Sequence, residues 1–231
     1  MRLWPRSTQL ERQLTKMRKD WDRRGRENAR HFVANGQQEW TDEEFFASGE
    51  SSVWHEVLSD SGNVCQGKDP KTMRVLEIGC GAGRMTRALA KAFGEVHAVD
   101  VSGEMVERTR LALRDMPNVN VYQNNGMDLR VVPELGFDFA FSVIVFQHIP
   151  SYEVIGSYVR EVARLLRPGG LFKFQTCGLP NSDSDPFDTW VGVSFSLEMA
   201  RSMAADNGFE CRHHIGEDTQ FFCLWYFKNA A

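Results

Sequence analysis

The sequence predicts an α/β domain built on a doubly wound, mainly parallel seven-stranded sheet with a closing antiparallel strand, preceded by a helical N-terminal lead. Three observations predict it. From residue 73 onward, short apolar runs alternate with segments of helical spacing, the pattern of a parallel sheet covered by helices on both faces. One run, FDFAFSVIVF at 137–146, is apolar almost throughout, as a strand buried on both faces requires. The last two runs, FECRHHI and QFFCLWYF, leave no room for the crossover of about a dozen residues that a parallel return needs, so they pair antiparallel.

The lead covers residues 1–58 and forms a helical cap. Leu10, Leu14, Met17 and Trp21 recur at intervals of four, three and four, which is a helix stripe. Thr41 and Glu44 supply a capping box for a second helix running toward Leu58. The polar stretch SDSGNVCQGKDPKT (59–72) reads as a linker, and the main domain occupies 70–231.

In the main domain, MRVLEIG (73–79) is a buried strand, followed by a helix whose apolar face is Met85, Leu89, Ala92 and Phe93. EVHAVD (95–100) is the second strand, and Ser102 caps the helix after it. VNVYQ (119–123) and FDFAFSVIVF (137–146) are the third and fourth strands. Ser151 caps a helix ended by RPGG (167–170), before the fifth strand LFKFQTC (171–177). A helix over about 196–206 leads into the final strand pair.

Composition excludes several classes. With 42% apolar and 25% charged residues over 231 positions, the chain is globular and large enough for one core. It has no secretory h-region and no apolar stretch long enough to span a bilayer, so a cytoplasmic location is expected. Five scattered cysteines without a C-x-x-C spacing suggest neither a disulfide framework nor a zinc site, and no metal is expected. The net charge of −4 hides an asymmetry: residues 1–31 hold ten Lys or Arg against four Asp or Glu, and the rest holds 17 basic and 27 acidic residues. A basic segment can meet nucleic acid or anionic lipid. The apolar stripe within it favours packing on its own domain or on a twin subunit, so nucleic acid and membrane are not the expected partners and a homodimer is possible.

The informative stretch is VLEIGCGAGRMTRALA (75–90), where a strand breaks into three glycines and a helix follows. Backbone N–H groups at such a turn can hold a ligand. A dinucleotide fingerprint would need glycine at 84 or 86, which are Arg84 and Thr86, and no Walker loop occurs anywhere. Glu77, just ahead of the turn, would repel a pyrophosphate and suits a cation. Asp100 closes the second strand 21 residues after Gly79, where a carboxylate can accept from ribose hydroxyls. S-adenosyl-L-methionine fits: an ammonium, a sulfonium, an adenosine and no phosphate.

At this point the chain resembles the class I S-adenosylmethionine-dependent methyltransferases, by motif over roughly 70–177. VLEIGCGAGRMT is similar to the family's first motif, VHAVDVSGEM to its second-strand acidic motif, FDFAFSVIVFQHI to its fourth-strand motif, and LLRPGGLFKF to the segment entering the fifth strand. The resemblance implies a Rossmann-like methyltransferase fold, with S-adenosylmethionine as cofactor. It places Glu77 near the methionyl ammonium, Gly79, Gly81 and Gly83 around the turn, Asp100 on the ribose, and Val101 with Met105 against adenine. It also implies backbone contacts from Ser142 and Val143. Cys80, within the turn, reads as a small packed side chain rather than a nucleophile. Where many members carry Gly-Asp after the third strand, this chain has Asn124 and Asn125. The amide oxygen of Asn125 could accept from the adenine amino group, supported by backbone from Gly126 and Met127.

His148, just beyond the fourth strand, stands at the carboxyl edge of the sheet and either removes a proton from the acceptor or packs near adenine. The loop GLPNSDSDPFDTWVGV (178–193), with Phe187 and Trp190, is a candidate lid, and Phe45, Phe46 and Trp54 could cover the cofactor in the same way. The expected activity is methyl transfer to oxygen or nitrogen of a small molecule. Two other readings remain at this stage: an RNA or protein methyltransferase gripping its partner through the basic lead, and a non-catalytic cofactor-binding module.

Overall fold

The computed structural model describes residues 8–180, 185 and 187–230. Two helices lead, α1 (Gln9–Val33) and α2 (Asp42–Glu56), then a 3-10 turn (Leu58–Asp60), a short α3 (Ser61–Cys65) and a second 3-10 turn (Pro70–Thr72). The alternating part follows as β1 (Arg74–Ile78), α4 (Arg84–Ala92), β2 (Glu95–Asp100), α5 (Gly103–Ala112), β3 (Val119–Gln123) and β4 (Phe137–Ser142). A 3-10 turn (Phe146–His148), α6 (Tyr152–Leu165), β5 (Leu166–Thr176), α7 (Leu197–Asp206), β6 (Phe209–Ile215) and β7 (Phe222–Lys228) complete the order.

The seven strands form one sheet in the order β3-β2-β1-β4-β5-β7-β6. All pairs from β3 to β5 are parallel, and β7 runs antiparallel to both β5 and β6. The closing strand therefore lies inside the sheet rather than at its rim, with β6 outermost. Successive residues of β4 serve opposite faces: Ala140 joins the cluster under α6 and α7, whereas Phe139 and Phe141 join the one under α4. Among the described residues no helix is long and apolar enough to cross a membrane.

The lead packs onto the sheet. Met17 is buried in the main cluster, with Leu10, Leu14 and Trp21 against it, so the apolar stripe of α1 finds its partner within the chain. The expected capping box of α2 is present, with Thr41 accepting from Glu44 N while the Glu44 carboxylate accepts from Thr41 N. Residues 59–72, expected as a linker, are folded instead. Val64 and Cys65 are buried, and Asp60 accepts from Trp225 Nε1 at 2.6 Å and pairs with the buried Lys173 at 3.3 Å. Polarity in that stretch served these specific contacts, which composition does not distinguish from exposure.

Two strand boundaries differ from the periodicity. β5 begins at Leu166, because Leu166 pairs with Phe137 through a register shift and Gly169 takes φ +74 within the RPGG segment. β4 ends at Ser142, since Ile144 adopts φ +54 and turns the chain outward. A left-handed β-branched residue is a true outlier. Gln175 Oε1 holds it there, accepting from Ile144 N at 2.7 Å.

Candidate active site

The turn between β1 and α4 is tight because Gly79, Gly81 and Gly83 all have positive φ. Close approach adds a second reason at two of them: a Cβ on Gly79 would collide with Val145, and one on Gly81 would lie 2.6 Å from Val33 Cγ2. The turn is also internally bonded. Gly79 N and Cys80 N donate to Val99 O at 2.8 and 3.0 Å, Gly83 N to Cys80 O at 3.0 Å, and Gly81 N to Asp100 Oδ2 at 2.9 Å. Four N–H groups of the turn are thus spent within the protein rather than facing a ligand.

A cavity opens beside this turn, enclosing about 980 Å³ of non-atom space with its mouth included. Glu77, Gly79, Cys80, Gly81, Asp100, Val101, Met105 and Val143, all expected from the sequence, are among its walls, and so is His148. Glu77 is buried and accepts from Thr86 Oγ1 at 2.6 Å. Burial pushes its carboxyl up to about 7, against the opposing effects of Thr86 and the nearby Arg84 guanidinium. Burial likewise raises Asp100 to about 6, although Ser102 N and Gly81 N both donate to it. A carboxylate has about four acceptor sites, so two bonds leave Asp100 room for more. Arg84 is a wall as well; its Nη1 donates to Ser48 O and Ser52 Oγ, while its buried Nε has no partner among the described residues. The Cys80 thiol is buried and raised well above its usual range, which suits an inert packed group.

Several expected site residues lie elsewhere. Asn125 is exposed, and its Oδ1 accepts from Met127 N and Asp128 N at 2.8 and 2.9 Å, so the amide oxygen meant for adenine closes its own loop. Gly126 N donates to Asn124 Oδ1, and a Cβ on Gly126 would sit 2.9 Å from Met17 Cε; Gly126 and Met127 are therefore covered by α1 rather than lining the cavity. The wall residue at that corner is Asn124, whose Nδ2 donates to the Tyr158 hydroxyl at 2.7 Å. Ser142 is not among the walls, and its Oγ ties β4 to β1 by donating to Ile78 O at 2.9 Å. Gly83 caps α4 and packs toward Thr109, away from the cavity.

His148 is held at both nitrogens. Nδ1 donates to Trp190 O at 2.6 Å, which fixes the tautomer, and Nε2 accepts from Gln147 Nε2 at 3.2 Å. Burial is the main cause that lowers its pKa to about 4, aided by the charge of Arg24. With both nitrogens hydrogen-bonded and its basicity lowered by burial, His148 is poorly suited to the role of general base.

The helical lead supplies the cover, though not through the aromatics of α2: Phe45 and Phe46 are buried in a separate cluster and Trp54 is exposed. The cover is α1, through Met17, Trp21, Phe32 and Val33. Asn28 breaks the helix (φ −163, ψ 80) and its Oδ1 accepts from His31 N, so the last turn of α1 is redirected toward the glycine turn. Trp190, in the expected lid, packs on Trp21, Phe32 and His148 with ring centroids 5.1–6.5 Å apart. The Phe187 backbone folds onto Asp185, and the rest of that loop, 181–184 and 186, lies outside the described residues.

Known proteins match this arrangement. Residues 75–170, from the first strand through the glycine turn to the start of the fifth, match the methyltransferase domain family. That segment reads as a methyltransferase domain. The chain is 32% identical over 105 residues to a protein-L-isoaspartate O-methyltransferase of Nitrosomonas europaea, covering 45% of this chain and 46% of that one. It is 23% identical over 164 residues to dTDP-3-amino-3,4,6-trideoxy-alpha-D-glucopyranose N,N-dimethyltransferase of Streptomyces venezuelae, covering 70% and 65%. Both alignments span less than two thirds of the relative's length. Phosphoethanolamine N-methyltransferase 1 of Haemonchus contortus, solved with phosphoethanolamine and S-adenosylhomocysteine, shares the fold with a TM-score of 0.72 at 17% identity, over 97% of this chain and 50% of that one.

Proposed function

We propose that this methyltransferase takes a methyl group from S-adenosyl-L-methionine and delivers it to an oxygen or nitrogen atom of a small molecule. One observation carries the reading: the glycine-turn end of the cavity offers two carboxylates, Glu77 and Asp100, and four turn N–H groups that are bonded internally. That chemistry selects a cationic nucleoside over a phosphorylated one. The residues fit an amino-acid head group as well. Glu77 suits an ammonium, and the unpartnered Nε of Arg84 on the same wall suits a carboxylate. Asp100 retains acceptor capacity for a ribose hydroxyl, and Val101 with Met105 offers apolar surface for adenine.

Bound there, the donor supplies a methyl carbon activated by its sulfonium. The protein's part is alignment and exclusion of water. Met17, Trp21 and Phe32 of α1 close one side, and Ile144, Val145 and Ile149 close the other. His148 braces this wall through Trp190 O and Gln147 and is not assigned a proton-transfer role. Four basic residues of α1, Lys16, Arg23, Arg26 and Arg30, pair with Asp20, Glu27, Glu104 and Asp42, which lessens the charge open to a nucleic-acid grip.

The test is a labelled-methyl transfer assay on fractionated cell extract, read by mass. The reading expects label in a small-molecule fraction. Label confined to RNA or protein, or cofactor binding with no turnover in any fraction, would contradict it.

A further inference from the structure

We infer that the methyl acceptor is an uncharged aromatic compound bearing a hydroxyl, its ring held against Trp21, Phe32 and Ile144; this rests on the methyltransferase reading and narrows its substrate. The cavity divides by chemistry. Its fixed charges, Glu77, Arg84 and Asp100, all stand on β1, α4 and β2 around the glycine turn. The half beyond the tip of β4 is walled by Trp21, Phe32, Ile144, Val145, His148 and Ile149, and the histidine is neutral near pH 7. A charged acceptor entering that half would give up its hydration and meet no side chain of opposite charge on these walls.

Arg24 sharpens the exclusion. Its guanidinium is buried behind the wall between the rings of Trp21 and Trp190, 4.6 and 5.1 Å from their centroids, and its Nη1 donates to Thr189 O at 3.0 Å. One face of each indole is already engaged by this cation. Its charge reaches the acceptor half only against the opposite charge of Asp188, so the two together leave no strong attraction there for an ion of either sign. An anion gains little from it, because the two indoles and Thr189 take up the guanidinium.

A flat ring suits what remains. Ile144 and Trp190 are 43% and 41% exposed, so apolar surface continues from the cavity to solvent and can receive a ring with few rotors to freeze. Gln175 fixes this rim by accepting from Ile144 N while donating to Gln147 Oε1 and Gln220 O, which ties three loops together. An aromatic hydroxyl enters neutral and needs no carboxylate to take a proton from it on binding. In the transfer its oxygen lone pair forms the O–CH3 bond as the S–CH3 bond breaks, the bonding pair stays on sulfur to give a neutral thioether, and the hydroxyl proton passes to water.

Three probes with one ring test this: 2-naphthol, 2-naphthoate and 2-(aminomethyl)naphthalene, which are neutral, anionic and cationic near neutral pH. Each is titrated calorimetrically into the full chain with S-adenosylhomocysteine, whose own binding heat is measured first, so that a failed cofactor site is read separately. The expected result is that 2-naphthol binds at least about tenfold more tightly than either charged analogue. Ile144→Asp, at a left-handed position that Asp tolerates better than Ile, should move the preference toward the ammonium. The inference is overturned if a charged analogue matches 2-naphthol, or if none of the three binds the protein loaded with S-adenosylhomocysteine.

Discussion

Thr86 Oγ1 donates to Glu77 Oε2 at 2.6 Å, joining the first turn of α4 to a carboxylate that is otherwise surrounded by protein. One hydroxyl does not offset the burial, so Glu77 sits at about 7 rather than 4.5.

This burial makes stability depend on pH in a definite direction. Between 4.5 and about 7 the folded state holds a proton at Glu77 that the unfolded state has released, so stability falls as pH rises through that window. Glu77→Gln removes the penalty while keeping an acceptor for Thr86. Above pH 7 the variant should be more stable by on the order of 3 kcal/mol, with the gap closing toward pH 5. It should also lose at least about tenfold in S-adenosylmethionine affinity. Thermal unfolding at several pH values reads the first effect; a gap that does not change with pH would refute the buried-carboxylate account.

Asp100 carries two tasks. It accepts from Gly81 N and Ser102 N, and it is the proposed ribose partner. Asp100→Ala should therefore cost about 1–3 kcal/mol of stability, because buried donors lose a partner, and should also weaken cofactor binding. The comparison to make is calorimetry on folded variant against wild type; unchanged affinity would remove the ribose assignment.

His148 should leave no mark on the pH profile. With its pKa near 4 and both nitrogens engaged, kcat/KM between about pH 5.5 and 8 should show no histidine inflection. His148→Asn should lower kcat by less than about tenfold, whereas a general base would cost about 10²–10⁴. The profile and the variant together discriminate the two roles.

The legible part of the molecule was the part governed by local pattern. Alternation of strands and helices, the caps at Thr41, Ser102 and Ser151, and the three positive-φ glycines are all short-range physics, and they appear as read. The carboxylates Glu77 and Asp100 were found by the same logic, as charges beside a turn. What stayed hidden depends on distant packing. The Asn28 break that swings Phe32 and Val33 to the cavity is stabilised by contacts with His31 N and Gln38 O, and nothing in the spacing of α1 announces it. Asn124 and Asn125 are chemically identical, so only the loop closed by Asn125 Oδ1 decides which of them reaches the cavity. Ile144 gave no signal at all, since a β-branched residue is the last one expected at positive φ.

The assignment of the cap to α1 rather than α2 separates two tryptophans. Trp21→Ala strips a cavity wall and the ring under Arg24, and should cost about 2–4 kcal/mol of stability together with cofactor affinity. Trp54 is 59% exposed, so Trp54→Ala should stay within about 0.5 kcal/mol of wild type and bind normally. Equal losses in the two variants would return α2 to the site.

The central claim is that the carboxylates Glu77 and Asp100 beside the glycine turn select a sulfonium nucleoside. A competitive calorimetric titration of the full chain near pH 8 tests it most directly, with S-adenosyl-L-methionine in one cell and NADH in another. The account predicts saturable binding of S-adenosyl-L-methionine that NADH neither matches nor displaces. Tight binding of NADH with exclusion of S-adenosyl-L-methionine would contradict it.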